Sequence, residues 1–218
     1  MLVKDYMTRH PIMIAPETPA VEAQNIMIEN NVRHLPVVGD GKRLLGLVTR
    51  ERLKVPPTDL GSLNVWEISR FLSNLKVSDV MIKKSDLFIT DPNTTLEAAA
   101  QIMCEHKIGS LLVVDDDVVV GIITEVDMLA ELTSLLGGTV KGVRIMIRVP
   151  DQVGEYAKVM SAITEQGWGI YASGGVPAPK RPGYWDLVVK VRDVPKDKLV
   201  AVLEKIEGQE VIDARETS

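Results

Sequence analysis

The apolar and polar positions of the first two thirds of the chain follow the same order twice. Segments that begin at Val3 and at Val77 match position by position, with an offset that changes from 74 to 76 and then to 75 residues. Two copies with so long a period indicate a tandem duplication, and a cleft between two similar units is a natural ligand site. The matched pairs are Val3/Val77, Asp5/Asp79, Met7/Met81, Pro16/Pro92, Thr18/Thr94, Ile26/Ile102, Met27/Met103, Glu29/Glu105, Leu35/Leu111, Val37/Val113, Val38/Val114, Gly46/Gly121 and Thr49/Thr124.

Each copy predicts the same local elements. A short helix leads into an apolar stretch and a proline-containing turn, after which Thr18 and Thr94 are the expected N-caps of an amphipathic helix. A β-hairpin follows in each copy. The aspartates at 115–117 indicate a solvated hairpin tip, with a metal site as the less favoured interpretation. The predicted hairpin strands are His34–Val38 with Leu44–Thr49, and 110–114 with Val118–Thr124.

The segment 54–76 joins the two copies. Pro56 and Pro57 break the chain near its start. Beyond them, apolar residues at helical spacing predict a packed connecting helix rather than a flexible tether. These residues are Val65, Ile68, Leu72 and Leu75.

The pattern changes after Gly137 and Gly138. Apolar residues alternate over 143–149 and over 185–191, which predicts two half-buried strands. Helices are predicted after the turn at 151–154 and from Pro195. With strands near 170–173 and 211–214 and a loop over 174–183, the order is β-α-β-β-α-β, a ferredoxin-like split unit. We therefore predict an α/β (α+β) chain with repeats at 1–53 and 77–137, a linker at 54–76 and a C-terminal domain at 138–218.

Composition narrows the class of protein. The 218 residues are 45% hydrophobic and 25% charged, as in ordinary globular proteins, and leave room for more than one core. The net charge of −5 argues against a nucleic-acid partner, and no apolar run is long enough for a membrane span. The N-terminus lacks the apolar core of a signal peptide, so we expect a cytoplasmic protein. The single Cys104 cannot form an internal disulfide and is expected to pack within a helix.

Short motif pieces recur in order in the two copies, and one further piece lies at the strand-to-helix turn of the C-terminal third. The pieces of the copies are Asp5-Tyr-Met7, Arg33-His-Leu-Pro-Val37, Gly46-Leu-Val-Thr49, Asp79-Val-Met81 and Gly121-Ile-Ile-Thr-Glu-Val-Asp127, and that of the C-terminal third is Asp151-Gln-Val-Gly154. The pieces of the copies resemble those of CBS domains, a pair of which forms a Bateman module with a pseudo-twofold axis. The C-terminal third resembles an ACT domain, although Val153 stands where that family commonly has proline. This order of domains resembles that of the AcuB-type acetoin-utilisation proteins.

The CBS resemblance implies a site for an adenosine-containing ligand. In that family the Thr of a Gly-h-h-Thr-x-x-Asp motif (h, apolar) contacts phosphate and the Asp accepts from the ribose hydroxyls, roles that fall here on Thr124 and Asp127. The alternative for this pair is purely structural, with Thr as a helix cap and Asp at the third helical position. The first copy keeps Thr49 but has Arg52 in place of the acid. We therefore expect one competent site, and Arg52 is either a phosphate contact or a solvated side chain.

Other candidates extend both sites. Arg33 and His34 are either phosphate contacts or ordinary surface residues, and Phe88 is either a wall of the adenine pocket or core. ACT domains commonly bind small effectors, often amino acids, near the first strand–helix turn. Asp151 and Gly154 hold that position, where a plain turn and cap is the other interpretation. The histidines lack metal-ligand spacing, so we predict no metal site.

The sequence therefore favours a non-catalytic sensor. The predicted effector is an adenosine ligand such as AMP, ADP, ATP or S-adenosylmethionine, with a possible amino-acid effector at the ACT domain. The resemblance further implies a homodimer that modulates an unknown metabolic enzyme, in acetate or acetoin metabolism by analogy. The alternative is a constitutive dimerisation or scaffold module with vestigial ligand sites. We find no Ser/His/Asp set and no Walker sequence, so an enzyme is not expected.

Overall fold

The computed structural model describes residues 1–54 and 74–217. The chain divides into two compact units, Met1–Met128 and Leu129–Ser218. Most of the predicted connecting helix, including Val65, Ile68 and Leu72, lies outside the described residues. Leu75 at its end packs against the core of the first repeat, and its carbonyl accepts from the Ala20 N–H at 2.8 Å.

The first unit contains both repeats. Each repeat supplies a short opening helix, a short strand, a longer helix and a hairpin, and short 3₁₀ turns lie at Asp40–Lys42 and Lys84–Asp86. The first repeat has α1 (Val3–Tyr6), β1 (Thr8–Arg9), α2 (Ala20–Glu29), β2 (His34–Val38) and β3 (Leu44–Thr49). The second has α3 (Val77–Val80), β4 (Ile82–Lys83), β5 (Ile89–Thr90), α4 (Leu96–His106), β6 (Ser110–Asp115) and β7 (Val118–Thr124). Helix α5 (Glu125–Leu135) follows β7 and continues past Met128, where the first unit ends.

The opening segments of the two repeats are exchanged. Strand β1 of the first repeat pairs with β7 of the second, and β4 of the second repeat pairs with β3 of the first. Val3 is fully buried in the core of the second repeat, among residues of α4, β6 and β7. Val77 is fully buried in the core of the first repeat. Each core is therefore completed by the other copy, which the order of motifs along the chain does not reveal.

Two repeated glycines permit this exchange. A Cβ atom on Gly46 would stand 2.5 Å from the Ile82 carbonyl oxygen, and one on Gly121 would stand 3.1 Å from the carbonyl oxygen of Thr8. Real Cβ atoms do not approach backbone oxygens as closely as the first of these distances. The glycine of the Gly-h-h-Thr motif thus allows the opening segment of the other repeat to lie against the hairpin.

The predicted hairpins are confirmed, with β6 one residue longer than expected. Positive φ angles at Asp116 and Asp117 form the tight turn between β6 and β7. Asp117 Oδ1 accepts a hydrogen bond from Lys84 Nζ at 2.7 Å. This ion pair gives the acidic tip a role that requires no metal.

The predicted helix caps are wrong by one residue. Helix α4 has Thr95 as N-cap, whose Oγ1 accepts from the Ala98 N–H at 3.2 Å, and α2 begins after Pro19 without a side-chain cap. Thr18 and Thr94 instead use their carbonyl oxygens to accept from the N–H groups of Val77 and Val3, both at 2.9 Å. The exchange of opening segments therefore fixes these threonines outside the helices.

Helix α4 presents Leu96, Ala99 and Met103 to the core. Cys104 is exposed, which corrects the expectation that it packs inside. The residue after Met103 lies about 100° further around the helix, away from the buried stripe.

The second unit is one antiparallel sheet with two helices. Its strand order is β11-β8-β10-β9, and the element order βαββαβ agrees with the sequence pattern. The core consists of the inward-facing positions of β8 and β10 with helix residues such as Val159 and Leu199. The elements are β8 (Gly142–Pro150), α6 (Glu155–Thr164), β9 (Gly169–Pro177), β10 (Tyr184–Arg192), α7 (Lys196–Leu203) and β11 (Glu210–Thr217).

Part of the predicted loop at 174–183 is strand. Gly174 pairs with Val188 and Pro177 with Trp185 along the edge of the sheet. Glycine and proline usually indicate a loop, but an edge strand tolerates both because one side of its backbone has no partner strand. Strand β9 therefore extends four residues beyond the predicted end.

A buried ion pair connects two strands of this sheet. Arg148 binds Asp186 through two hydrogen bonds, of 2.7 and 2.9 Å, and Asp186 is only 1% exposed. The hydrogen bond to Asp186 is the main reason that the pKa of Arg148 is raised.

No helix of the described residues is both long and apolar enough to cross a membrane.

We predict that Val3→Ala lowers the free energy of unfolding of the protein by about 2 kcal/mol, because it leaves a cavity in the second core. Denaturant unfolding of the full chain measures this change. The matched control is Val21→Ala, since Val21 is 46% exposed on α2 and its truncation should alter stability by less than about 0.5 kcal/mol. Equal effects of the two substitutions would contradict the exchanged arrangement.

Candidate functional site

A cavity of about 500 Å³ lies within the first unit and has walls from both repeats. The first repeat supplies its opening segment, the start of β2 and the residue after β3, and the second repeat supplies the end of β7 and the start of α5. This volume is in the range of small-molecule sites. The lining residues are Thr8, His10, Pro11, Ile12, Asn31, Val32, Arg33, His34, Arg50, Ile122, Thr124, Val126 and Asp127.

Thr124 and Asp127 form a reciprocal cap at the start of α5. Asp127 Oδ2 accepts from both the N–H and the hydroxyl of Thr124, each at 2.8 Å, and the Asp127 N–H lies 3.4 Å from Thr124 Oγ1. The structural interpretation of this pair is therefore realised. Among the described residues Asp127 Oδ1 makes no hydrogen bond, so one carboxylate oxygen is available to an added donor.

The first repeat contributes basic side chains to the cavity lining. Arg33 Nη2 lies 3.5 Å from Glu125 Oε1, and both side chains are about half exposed. Arg50 forms no ion pair with any side chain in the described ranges, and its N–H donates to the Arg33 carbonyl oxygen at 3.0 Å. The two arginines therefore extend from adjoining backbone positions at the same end of the hairpin.

His34 lines the same wall in a partly buried position. Burial lowers the pKa of the His34 imidazole below its ordinary value of 6.5, and the positive charge of Arg33 adds to the effect. Glu51 and Glu125 act in the opposite direction but do not reverse it. His34 is therefore neutral at pH 7 and offers one donor and one acceptor.

Of the residues predicted to bind nucleotide, the structure brings together Thr124, Asp127, Arg33 and His34, and it leaves out Thr49 and Phe88. Thr49 ends β3, where its Oγ1 accepts from the Arg52 N–H at 3.4 Å. Phe88 stacks on His106 with ring centroids 3.6 Å apart.

Ile12, and not Phe88, is among the apolar residues that line the cavity. Ile14 of the first repeat pairs with Val37, and Thr90 of the second repeat pairs with Val113 in the equivalent way. Ile12 and Phe88 each lie two residues earlier in their repeats, so they occupy equivalent positions. Because the opening segments are exchanged, the segment beside Thr124 belongs to the first repeat.

Sequence reasoning also missed His10 and Arg50. Position 10 lies just beyond β1, which crosses to β7, and position 50 directly follows β3. Only Arg50 could have been recognised from the sequence, because a basic residue stands there at the position where the second repeat has the acidic Glu125.

Within the described residues, no group of three or more His, Cys, Asp or Glu side chains is placed to hold a metal.

The second unit has a smaller cavity of about 200 Å³ at the turn between β8 and α6. Asp151 lines it, and Gly154 is the N-cap of α6 with a left-handed φ of 95°. The N–H groups of Asp151, Gln152 and Glu155 already donate to backbone carbonyls, so the turn offers fewer free donors than predicted. The other lining residues are Val149, Pro150, Tyr156, Trp185 and Leu187.

Glu155 lines this second cavity in a buried position, and hydrogen bonds compensate the burial of its carboxylate. Its carboxylate accepts from Gln209 Nε2 at 2.9 Å and from Lys158 Nζ at 2.5 Å. The hydrogen bond from Gln209, followed by that from Lys158, lowers the pKa of Glu155. Asp151 is the other acidic side chain of this cavity and has no ion-pair partner in the described part of the chain.

Curated relatives match the repeat-bearing part of the chain. The CBS domain-containing protein YhcV of Bacillus subtilis is 32% identical over 126 residues, which cover 58% of this chain and 81% of YhcV. Protein MJ1225 of Methanocaldococcus jannaschii is 33% identical over 135 residues, or 59% of this chain and 46% of that protein. The chain thus spans under half the length of MJ1225.

Solved structures match the same part. A protein of Vibrio cholerae assigned to acetoin utilization (AcuB) gives a TM-score of 0.53 at 32% identity, with 64% of this chain and 95% of that chain covered. The AMP complex of CBSX2, a protein of Arabidopsis thaliana, gives 0.51 at 26% identity, with 61% and 96% covered. The CBS pair of MJ0100 bound to 5′-methylthioadenosine and S-adenosyl-L-methionine gives 0.50 at 25% identity, with 64% and 98% covered.

We predict that the free energy of unfolding falls as the pH is lowered below about 6.5, because the unfolded chain binds a proton at His34 more readily than the folded protein. The loss stops once the pH is below the pKa of folded His34. His34→Gln should remove this part of the pH dependence. Proton NMR titration should show a folded His34 midpoint below 6.5, and a midpoint above that value would contradict the burial argument.

The family of this chain is identified by a family profile that matches the two repeats. The CBS domain family profile matches residues 3–54 and 77–134, which together make up half of the chain. Both matched ranges contain the opening helix, the longer helix and the hairpin described above. The chain therefore belongs to the CBS domain family and carries a tandem CBS pair.

Proposed function

We propose that this protein is a non-catalytic regulator whose CBS pair binds an adenosine-containing ligand in the 500 Å³ cavity. One observation carries the proposal: Thr124 and Asp127 of the second repeat share that cavity with Arg33 and His34 of the first. The AMP complex of CBSX2 and the adenosine-ligand complex of MJ0100 support it, since both proteins resemble this chain over about three fifths of its length.

Asp127 Oδ1, which accepts no hydrogen bond from the described residues, is the proposed acceptor for the ribose hydroxyls. A carboxylate oxygen suits paired hydroxyl donors, and its position at the start of α5 is fixed by the bonds to Oδ2. The Thr124 hydroxyl already donates to Asp127, and the N–H groups of Thr124 and Glu125 donate to Asp127 and to the Gly109 carbonyl oxygen, so this helix start offers few donors to a phosphate. We expect Ile12 and Val126 to contact the base.

We further propose that residues 138–218 form an ACT domain that binds a small effector such as an amino acid. The βαββαβ order, the cavity lined by Asp151 and the adjacent N-cap Gly154 support this assignment. The negative charge of Asp151 favours an effector that presents an ammonium group to this turn.

The proposed partner is a metabolic enzyme, and the likeness to AcuB points to acetate or acetoin metabolism. We expect the protein to act as a homodimer, as implied by the family resemblance. The competing proposal is a scaffold module without ligand, because the cap formed by Thr124 and Asp127 accounts for both residues structurally. Ligand binding distinguishes the two.

We predict that an adenosine ligand raises the melting temperature of the wild type and not that of Asp127→Ala. At about 100 times its dissociation constant a ligand should stabilise the protein by roughly 2.7 kcal/mol. Thermal shift with AMP, ADP, ATP and S-adenosylmethionine is the measurement.

The control for this substitution is Asp79→Ala. Asp79 also caps a helix, since its Oδ2 accepts from the Lys76 N–H at 3.0 Å, but it does not line the cavity. Asp79→Ala should lower the melting temperature and retain the ligand-induced rise. If the folded wild type shows no rise with any of the four ligands, the scaffold proposal replaces the sensor.

We predict that an amino-acid effector changes the fluorescence of Trp185, which lines the smaller cavity. Titration of the full chain with a panel of amino acids measures the response. Trp185→Phe should remove the signal, and Asp151→Ala should weaken the binding by about tenfold through loss of a charge-assisted contact. A response that persists unchanged in Asp151→Ala would contradict the proposed role of that carboxylate.

A further inference from the structure

One face of the sheet in the second unit carries a row of cationic side chains. Helices α6 and α7 cover the other face, where Val189 and Val191 belong to the core, so Lys190 between them points away from the helices. Arg144 on β8 pairs with Lys190 on β10 and with Arg215 on β11. The three cations therefore stand side by side across three neighbouring strands.

A single carboxylate compensates this row. Asp213 Oδ2 accepts from Arg144 Nη1 at 3.1 Å, and its Oδ1 accepts from Arg215 Nε at 2.8 Å. Lys190 forms no hydrogen bond or ion pair through its side chain within the described ranges of the chain. Because like charges at directly opposed positions of a sheet repel each other, the row keeps an unfavourable excess of positive charge.

Lys190 is buried although the described chain gives it no partner. Only 2% of the residue is exposed. Burial lowers the pKa of the Lys190 amine, and the positive charge of Arg144 adds to the effect. Buried charges in proteins are paired as a rule, because an unpaired one costs stability. The position of Lys190 therefore indicates that an anion comes to it from outside the described chain.

The stem of Lys190 lies against the connection that leads from α5 into β8. A Cβ atom on Gly137 would stand 3.0 Å from Lys190 Cγ, and one on Gly142 would stand 3.4 Å from Lys190 Cε. The ammonium nitrogen still reaches solvent, because the enclosed side-chain polar atoms without a partner in the described residues are Thr90 Oγ1 and Gln209 Oε1. A small ligand can therefore approach the nitrogen while the stem stays covered.

We propose that Lys190 and Arg144 form a further binding site of this protein, for a small oxyanion with two negative charges such as a phosphate group or a dicarboxylate. A dianion neutralises the excess charge of the row and gives Lys190 the partner that the described chain does not supply. The Arg144 guanidinium is oriented by Asp213 and keeps further N–H groups for the ligand. The Lys190 ammonium contributes a point charge beside them.

This site is separate from both cavities described above. Neither Lys190 nor Arg144 lines the cavity of the first unit or the one beside Asp151. Arg144 lies near the start of β8 and Asp151 follows its end, which places them about 20 Å apart along the strand. The oxyanion site is therefore independent of the proposed adenosine ligand and of the proposed amino-acid effector.

The test is thermal unfolding of the full chain in inorganic phosphate, in malonate and in sodium chloride of equal ionic strength. We expect phosphate or malonate to raise the melting temperature by about 3 °C more than chloride does. Lys190→Met should raise the melting temperature in chloride, because it removes an unpaired buried charge, and should abolish the additional rise with the dianion. Arg144→Gln should also abolish that rise, which keeps the test decisive if Lys190→Met does not fold.

Two control substitutions locate the anion. Lys198→Met removes the same charge from an exposed position on α7, on the helix side of the sheet, and should retain the rise. Arg50→Gln removes a cation from the lining of the larger cavity and should retain it as well.

The outcomes decide both the site and the class of its ligand. A rise with phosphate alone supports the inference and identifies a phosphoryl ligand, and a rise with malonate alone supports it and identifies a dicarboxylate. Equal melting temperatures in chloride and in both dianions overturn the inference, as does a rise that persists in Lys190→Met. A rise that is lost in Arg50→Gln assigns the anion to the larger cavity and overturns it too. None of these results depends on an adenosine ligand, so the proposed function is tested separately.

Discussion

The exchange of opening segments between the two repeats is the constraint on which the first unit depends. Val3 completes the core of the second repeat and Val77 that of the first, so neither core is closed by its own copy. The strand pairs β1–β7 and β3–β4 then hold the copies together through backbone hydrogen bonds. Apolar burial supplies most of the stability, and the glycines at 46 and 121 provide the space that the crossing segments need.

This exchange also determines which residues line the cavity of the first unit. It carries His10 and Ile12 of the first repeat to the hairpin of the second, beside Thr124 and Asp127. The two copies differ at the positions that line the described cavity. The first repeat contributes basic side chains to it, and the second contributes a helix-capping carboxylate. Duplication thus supplied the shape, and divergence supplied an asymmetric charge pattern.

Asp127 has a structural role that is compatible with the proposed binding role. Its Oδ2 fixes the start of α5 through Thr124, which also orients the carboxylate. A preoriented acceptor loses less conformational freedom on binding than a free side chain would. Glu155 in the second unit illustrates the opposite case, because Gln209 and Lys158 satisfy its carboxylate, whereas Asp151 has no ion-pair partner among the residues that the structure describes.

The sequence by itself determined the duplication, the hairpin at His34–Thr49 and its partner in the second copy, and the βαββαβ order of the second unit. These follow from local periodicity and turn chemistry, which depend on near neighbours. It also identified four of the lining residues, since Arg33, His34, Thr124 and Asp127 lie in motifs. Only the tertiary structure decided that Ile12 rather than Phe88 lines the cavity with Asp127, that Thr49 does not line it, and that His10 and Arg50 do. The reason is that these contacts join segments about 75 to 120 residues apart through an exchange that leaves no local trace in the apolar pattern.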